Sequence, residues 1–224
     1  NDNKNFVISK KIYQKKIKIF RIGRDIHLSH FSKPEIRDHS SIKNNYNIKD
    51  KKIITFVSRL IKLKYPHHFI EVLNNLKNKN VNFLAFVVGE GEMKNELIKL
   101  CNLYDIDKNV VFVGAKNQEW LSNLLSITDL FVCPLKGRAL IEAALGGCPI
   151  VAYDIDWHSE LIINNENGVI VDFKDIENLS LESYNILQNK KLVNFYKKNI
   201  RNTALKYTDI SKLIDYENKC YDKL

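Results

Sequence analysis

Six short, almost wholly apolar runs punctuate residues 53–172: IITFV (53–57), NFLAFVVG (82–89), VVFVG (110–114), DLFVC (129–133), PIVAY (149–153) and GVIVD (168–172). Runs of this length that are apolar without alternation are strands covered on both faces. Between them lie stretches whose apolar residues recur at helical spacing. Phe69, Val72, Leu73 and Leu76 follow Pro66; Met93, Leu97, Leu100 and Cys101 form a second stripe; EWLSNLLSI is a third; Leu140, Ile141, Ala144 and Leu145 are a fourth. Three more helices are expected near 175–188, 190–206 and 209–222. Buried strands alternating with amphipathic helices predict an α/β fold, a Rossmann-like doubly wound parallel sheet of about six strands. No solenoid-like repeat accompanies the alternation.

In such a sheet ligands bind beyond the carboxyl ends of the strands, where the βα turns gather. Gly89 and Gly91, Gly114 and Gly137 fall in those turns. The segment 129–154, DLFVCPLKGRALIEAALGGCPIVAYD, is the most informative. Pro134 stops a strand, Gly137 opens a helix, and the Gly146-Gly147 pair closes it before the next strand. A helix N-terminus presents unpaired amides and the positive end of the helix dipole, and Arg138 adds a formal charge in the first turn. Glu142 lies one turn further on the same side. Amides for phosphate and a carboxylate for ribose hydroxyls suit a nucleotide; an ordinary αβ unit with a surface Glu would carry the same residues. After the first strand, Arg59 and Lys64 bring two permanent cations to the same edge, as a diphosphate would require and as a solvated surface would also permit.

Several chemistries find no support. GEGE (89–92) lacks the third glycine of a dinucleotide fingerprint and reads as a tight turn, and no P-loop occurs. The histidines form no HExxH and no metal-like cluster, so no metal site is expected. His158, beside Trp157 after the fifth strand, reads as a packing or loop residue rather than a catalyst. No nucleophile elbow is present. Cys101, Cys133, Cys148 and Cys220 lack metal-ligand spacing and suit buried, reduced thiols of a cytoplasmic protein.

A net charge of +9 resides in residues 1–52, where 14 Lys/Arg oppose 5 Asp/Glu; residues 53–224 carry 21 of each. This basic, Asn-rich leader permits contact with an anionic membrane at the inner face but lacks the aromatic pairs and motifs of a nucleic-acid binder. IKIFRI (17–22) could be a strand, residues 32–50 hold turn-forming composition with one short helix, and a boundary falls near 50. Residues 1–50 are thus read as a basic linker and 51–224 as the nucleotide-binding domain. Met93 is the only methionine, so the protein is expected to continue upstream.

Taken together, the turns resemble the C-terminal, donor-binding domain of retaining GT-B glycosyltransferases, in particular family 4. The resemblance runs from about Gly23 to the end. The family's GRL followed by KG is similar to VSRLIKLKY, with Arg59 and Lys64 retained and Ser58 and Tyr65 in place of the glycines. Its VGxGP turn resembles VVGEGEMKNEL, its VxFxG strand VVFVG, and its terminal signature, an EA pair before GxPVVA, resembles GRALIEAALGGCPIVAYD. NGVIV followed by Asp175 completes the order.

The resemblance implies a nucleotide-diphospho-sugar donor, with no cofactor and no metal. Arg59 and Lys64 would be catalytic, neutralising the leaving diphosphate. Gly137, Arg138, Ala139 and Leu140 would line it with amides, Glu142 would hold the ribose, and Gly89 and Val113 would belong to the nucleotide site. It also implies a glycan or lipid-linked acceptor and an N-terminal GT-B domain that binds it; without that domain the chain would be an inactive half. One departure stands out. The family's first Glu, eight residues before its second, touches the donor sugar, and that position here is Pro134. A non-catalytic nucleotide-sugar-binding or scaffold domain, or a GT-B epimerase or phosphorylase, would use a similar half-fold.

Overall fold

The computed structural model describes residue 31, residues 39–135 and residues 137–221. Of the linker read at 1–50, residues 1–30 and 32–38 lie outside these, the strand expected at 17–22 among them. The six apolar runs form β1 (Lys52–Val57), β2 (Phe83–Val88), β3 (Val110–Gly114), β4 (Leu130–Cys133), β5 (Ile150–Tyr153) and β6 (Val169–Val171). They make one sheet in the order β3-β2-β1-β4-β5-β6, and every neighbouring pair is parallel. The expected doubly wound architecture is therefore the observed one. The chain leaves β1 toward β2 and β3 on one side and returns to β4, β5 and β6 on the other. The switch point falls between β1 and β4, which are held by the pairs Ile54–Leu130 and Thr55–Phe131.

The helices are α1 (Ser40–Asn45), α2 (Pro66–Asn78), α3 (Lys94–Leu103), α4 (Gln118–Ile127), α5 (Arg138–Gly146), α6 (His158–Leu161), α7 (Ile176–Gln188), α8 (Lys190–Tyr207) and α9 (Ile210–Tyr221). Alternate side chains of each strand serve opposite layers, which is why the runs are apolar throughout. Ile54, Phe56, Ala85, Val87, Val132 and Tyr153 pack under α2, α3 and α7. Ile53, Leu84, Phe86, Phe131, Cys133 and Ala152 pack under α4, α5 and the second half of α8. The central strands β2, β4 and β5 are buried at every position, whereas the edge strand β3 is mostly half-exposed. Helix α8 joins the layers: Val193 and Tyr196 belong to the first, Ile200 and Ala204 to the second.

Residues 39–50 also rest on the sheet. Ile42 is buried in the second layer, and Tyr46 meets Phe86 edge-on with ring centroids 5.1 Å apart. Cys101, Cys133 and Cys148 are buried free thiols, as their sequence context suggested.

Candidate functional site

At the carboxyl edge of β1 the chain turns through Ser58, Arg59 and Leu60, enters a single 3-10 turn (Lys62–Lys64), and reaches α2 through Tyr65. Tyr65 lies in the left-handed region at φ 50°, the conformation for which glycine is the usual residue. Arg59 is exposed, and Lys64 is half-buried. Lys64 also comes close enough to the end of β4 for its charge to act on the Cys133 thiol. Burial nevertheless dominates there and pushes Cys133 up to about 12.

The β2 turn lies against the β1 turn. A side chain on Gly89 would stand 2.0 Å from the Ser58 carbonyl oxygen, and one on Gly91 would stand 2.3 Å from that of Leu60. Leu60 N–H donates to the Glu90 carbonyl and Met93 N–H to the Leu60 carbonyl, each at 2.9 Å, tying the two turns together. The GEGE glycines are thus required by backbone contact within the protein, in agreement with the tight-turn reading. Gly89 N–H also donates to the Gly114 carbonyl at 2.9 Å, which brings Gly89 beside the end of β3, where Val113 is half-buried.

Helix α5 begins at Gly137, whose backbone is extended and whose surroundings are open: among the described residues, no atom beyond its chain neighbours and its own helix backbone lies within 4 Å of where a Cβ would stand. The Leu140 amide donates to the Gly137 carbonyl at 3.1 Å, while the Leu140 side chain is buried in the core and Ala139 is packed against it. Glu142 is only 4% exposed. One of its oxygens, Oε1, accepts from Arg138 Nε at 3.2 Å and from Gln118 Nε2 at 2.9 Å. The other, Oε2, has no hydrogen-bond partner among the described residues. Pro134 is buried at the end of β4, and the Cys133 thiol donates to the Leu135 carbonyl at 3.3 Å.

The structure therefore brings the residues singled out in sequence to one edge. Arg59 and Lys64 follow β1, Gly137 to Glu142 follow its neighbour β4, and Gly89 and Val113 stand on the β2 and β3 side. Two groups were missed. Gln118 carries no motif; only its position just after the N-cap Asn117, at the ligand edge of β3, could have drawn attention to it. An aromatic cluster also assembles at the edge from Tyr65, His68, Tyr153 and Phe173, with Lys174 Nζ 5.5 Å from the Tyr65 ring centroid and 5.2 Å from that of Phe173. His68 Nδ1 and the Tyr153 hydroxyl are hydrogen-bonded at 2.9 Å. His158 is fully buried, and its Nδ1–H donates to the Tyr153 carbonyl at 2.8 Å, a packing role.

These features define a doubly wound α/β domain whose carboxyl edge carries two cations and a pinned carboxylate at the switch point. The chain belongs to the glycosyl transferases group 1 family, whose model matches residues 38–203. Over 223 residues it is 26% identical to the Escherichia coli UDP-Gal:alpha-D-GlcNAc-diphosphoundecaprenol alpha-1,3-galactosyltransferase, covering 96% of this chain and 56% of that protein. Its fold is similar to that of Anabaena HepE, solved in complex with UDP: TM-score 0.85 and 18% identity over 99% of this chain and 61% of that one. It is also similar to the C-terminal domain of a Francisella tularensis group 1 glycosyl transferase (LpcC), with TM-score 0.66 and 22% identity, covering 75% of this chain and 92% of that one. The chain thus spans about half the length of the galactosyltransferase, and its fold is that of the GT-B C-terminal domain.

Proposed function

We propose that this chain is the donor-binding domain of a retaining glycosyltransferase, holding a nucleotide-diphospho-sugar across the β1–β4 switch point. One observation carries the reading: the turn bearing Arg59 and Lys64 and the helix bearing the buried Glu142 follow strands that are hydrogen-bonded neighbours. Arg59 and Lys64 neutralise the charge that develops on the leaving diphosphate, the task a metal ion performs elsewhere, and preorganised charge of this kind is the usual dominant catalytic contribution. Each charge-assisted contact is worth roughly 1.5–3 kcal/mol. Amides at the start of α5 receive phosphate oxygens. The Leu140 amide is already used within the first turn, so this role falls to residues before it. Glu142 accepts from the ribose through Oε2. Gly89 and Val113 line the nucleoside end.

The sugar acceptor is a glycan or a lipid-linked saccharide, a class named in the E. coli relative, and it is presented by a separate N-terminal domain. Residues 1–50 link the two domains, and the isolated chain binds donor without transferring sugar. Among the described residues no helix is long and apolar enough to cross a membrane. The basic leader meets the lipid-linked acceptor at the cytoplasmic membrane surface. Pro134, where a sugar-touching Glu would stand, favours a second reading, a nucleotide-sugar-binding domain without transfer chemistry. Isothermal titration of UDP, GDP and ADP tests the first step. Binding of one of them in the micromolar to millimolar range supports donor binding, and no heat from any of the three at millimolar concentration overturns it. Sugar release from the bound nucleotide-sugar by the complete protein separates the two readings.

A further inference from the structure

Gln118 sits at the first turn of α4, on the ligand edge beside Glu142. Its side-chain nitrogen donates to Glu142 Oε1, and this fixes the amide's orientation, since the carboxylate oxygen can only accept. The amide oxygen, Oε1, is then left buried with no hydrogen-bond partner among the described residues. A buried acceptor without a donor carries an unrecovered desolvation cost and calls for an explanation. If the side chain served only to brace Glu142, a residue with donors alone would do so without that cost. A group arriving with a donor next to Glu142 removes it.

A vicinal diol is such a group. We propose that Gln118 positions the nucleoside: it locks Glu142 Oε1 so that Oε2 accepts from one ribose hydroxyl, and it receives the adjacent hydroxyl on its own amide oxygen. Arg138, which shares Glu142 Oε1, leaves Oε2 available to the first hydroxyl. The pair discriminates ribonucleotides from deoxyribonucleotides, because a deoxy ligand leaves one of the two acceptors unpaired. This proposal rests on the donor-binding reading above.

The test uses the full chain and its Gln118→Met variant, with UDP, GDP and ADP and their 2′-deoxy and 3′-deoxy forms as ligands in isothermal titration. Gln118→Met is expected to weaken the ribonucleotide about two- to tenfold, the span of one neutral hydrogen bond. For one of the two deoxy forms, the same substitution should cost nothing further. Gln118→Glu, which sets a carboxylate against Glu142, should lose more affinity than Gln118→Met for the ribonucleotide. Equal losses for ribo- and both deoxy-nucleotides would reduce Gln118 to a structural brace and overturn the proposal, as would unchanged affinity. Wild-type protein that binds none of UDP, GDP and ADP overturns the donor reading and this proposal with it. Wild-type protein that binds them without distinguishing the deoxy forms overturns this proposal alone. Melting temperatures of both variants confirm that the chain remains folded.

Discussion

On the proposed donor-binding reading, Arg59 and Lys64 are the side chains whose removal should separate phosphate handling from nucleoside handling. Both stand on the β1 turn, away from Glu142 on the β4 side, so truncation should act on one end of the ligand. Arg59→Ala and Lys64→Ala are each expected to weaken nucleoside diphosphate binding by about 1.5–3 kcal/mol and to leave the nucleoside nearly unaffected. Equal losses for both ligands in calorimetry would remove these residues from the phosphate role. His68 carries a different prediction. Burial, then the charges of His67 and Lys174, lower it from the ordinary 6.5 to about 4. The native protein thus keeps His68 neutral where the unfolded chain takes up a proton. Its contribution to stability is complete above pH 6.5 and is lost as pH falls toward about 4. The melting temperature should drop over this window in wild type and drop less steeply in His68→Gln. Parallel pH profiles would show that His68 is not the responsible group.

At the scale of elements, the β1 and β2 turns form one backbone-packed unit, and glycine is needed where they touch. Gly91→Ala places a methyl 2.3 Å from the Leu60 carbonyl oxygen, and Gly89→Ala adds strain at φ 136°. Each should destabilise the domain by about 1–3 kcal/mol or more in chemical denaturation. Gly137 provides the contrast: its extended backbone and open surroundings accept a methyl group, so Gly137→Ala should stay within about 0.5 kcal/mol of wild type. A large loss there would mean that the start of α5 is more tightly packed than its open surroundings indicate. Sequence reasoning located the β2 turn and the start of α5 from their glycines. It could not tell a glycine that makes room for a ligand from one that makes room for a neighbouring turn, because that contact joins residues about thirty positions apart.

Across the whole molecule, α8 holds the two layers and the entering segment together. Arg201 donates to the Leu145 carbonyl at the end of α5 and, at 2.6 Å, to the carbonyl of Phe31, whose ring is buried in the second layer. Arg201→Ala removes both hydrogen bonds and should cost about 1–3 kcal/mol. It should also raise hydrogen exchange in residues 39–50 and at Phe31 more than in β1 or β4. Uniform exchange throughout would mean that Arg201 supports the fold generally and does not anchor that segment.

Local pattern alone was enough for the element order, the parallel sheet and its double winding. Apolar runs of strand length and stripes of helical spacing are properties of neighbouring residues, and burial on both faces allows few other arrangements. The same local signals placed Arg59, Lys64 and Gly137 in βα turns and Glu142 on the helix that follows. Only the tertiary structure decided the sharing of Glu142 Oε1 by Arg138 and Gln118, the contact of the β2-turn glycines with the β1 turn, and the packing of residues 39–50 and Phe31 on the sheet. These depend on which turns become neighbours when β4 returns beside β1. That choice is made by long-range packing and hydrogen bonding, which leave no period or spacing in the chain itself.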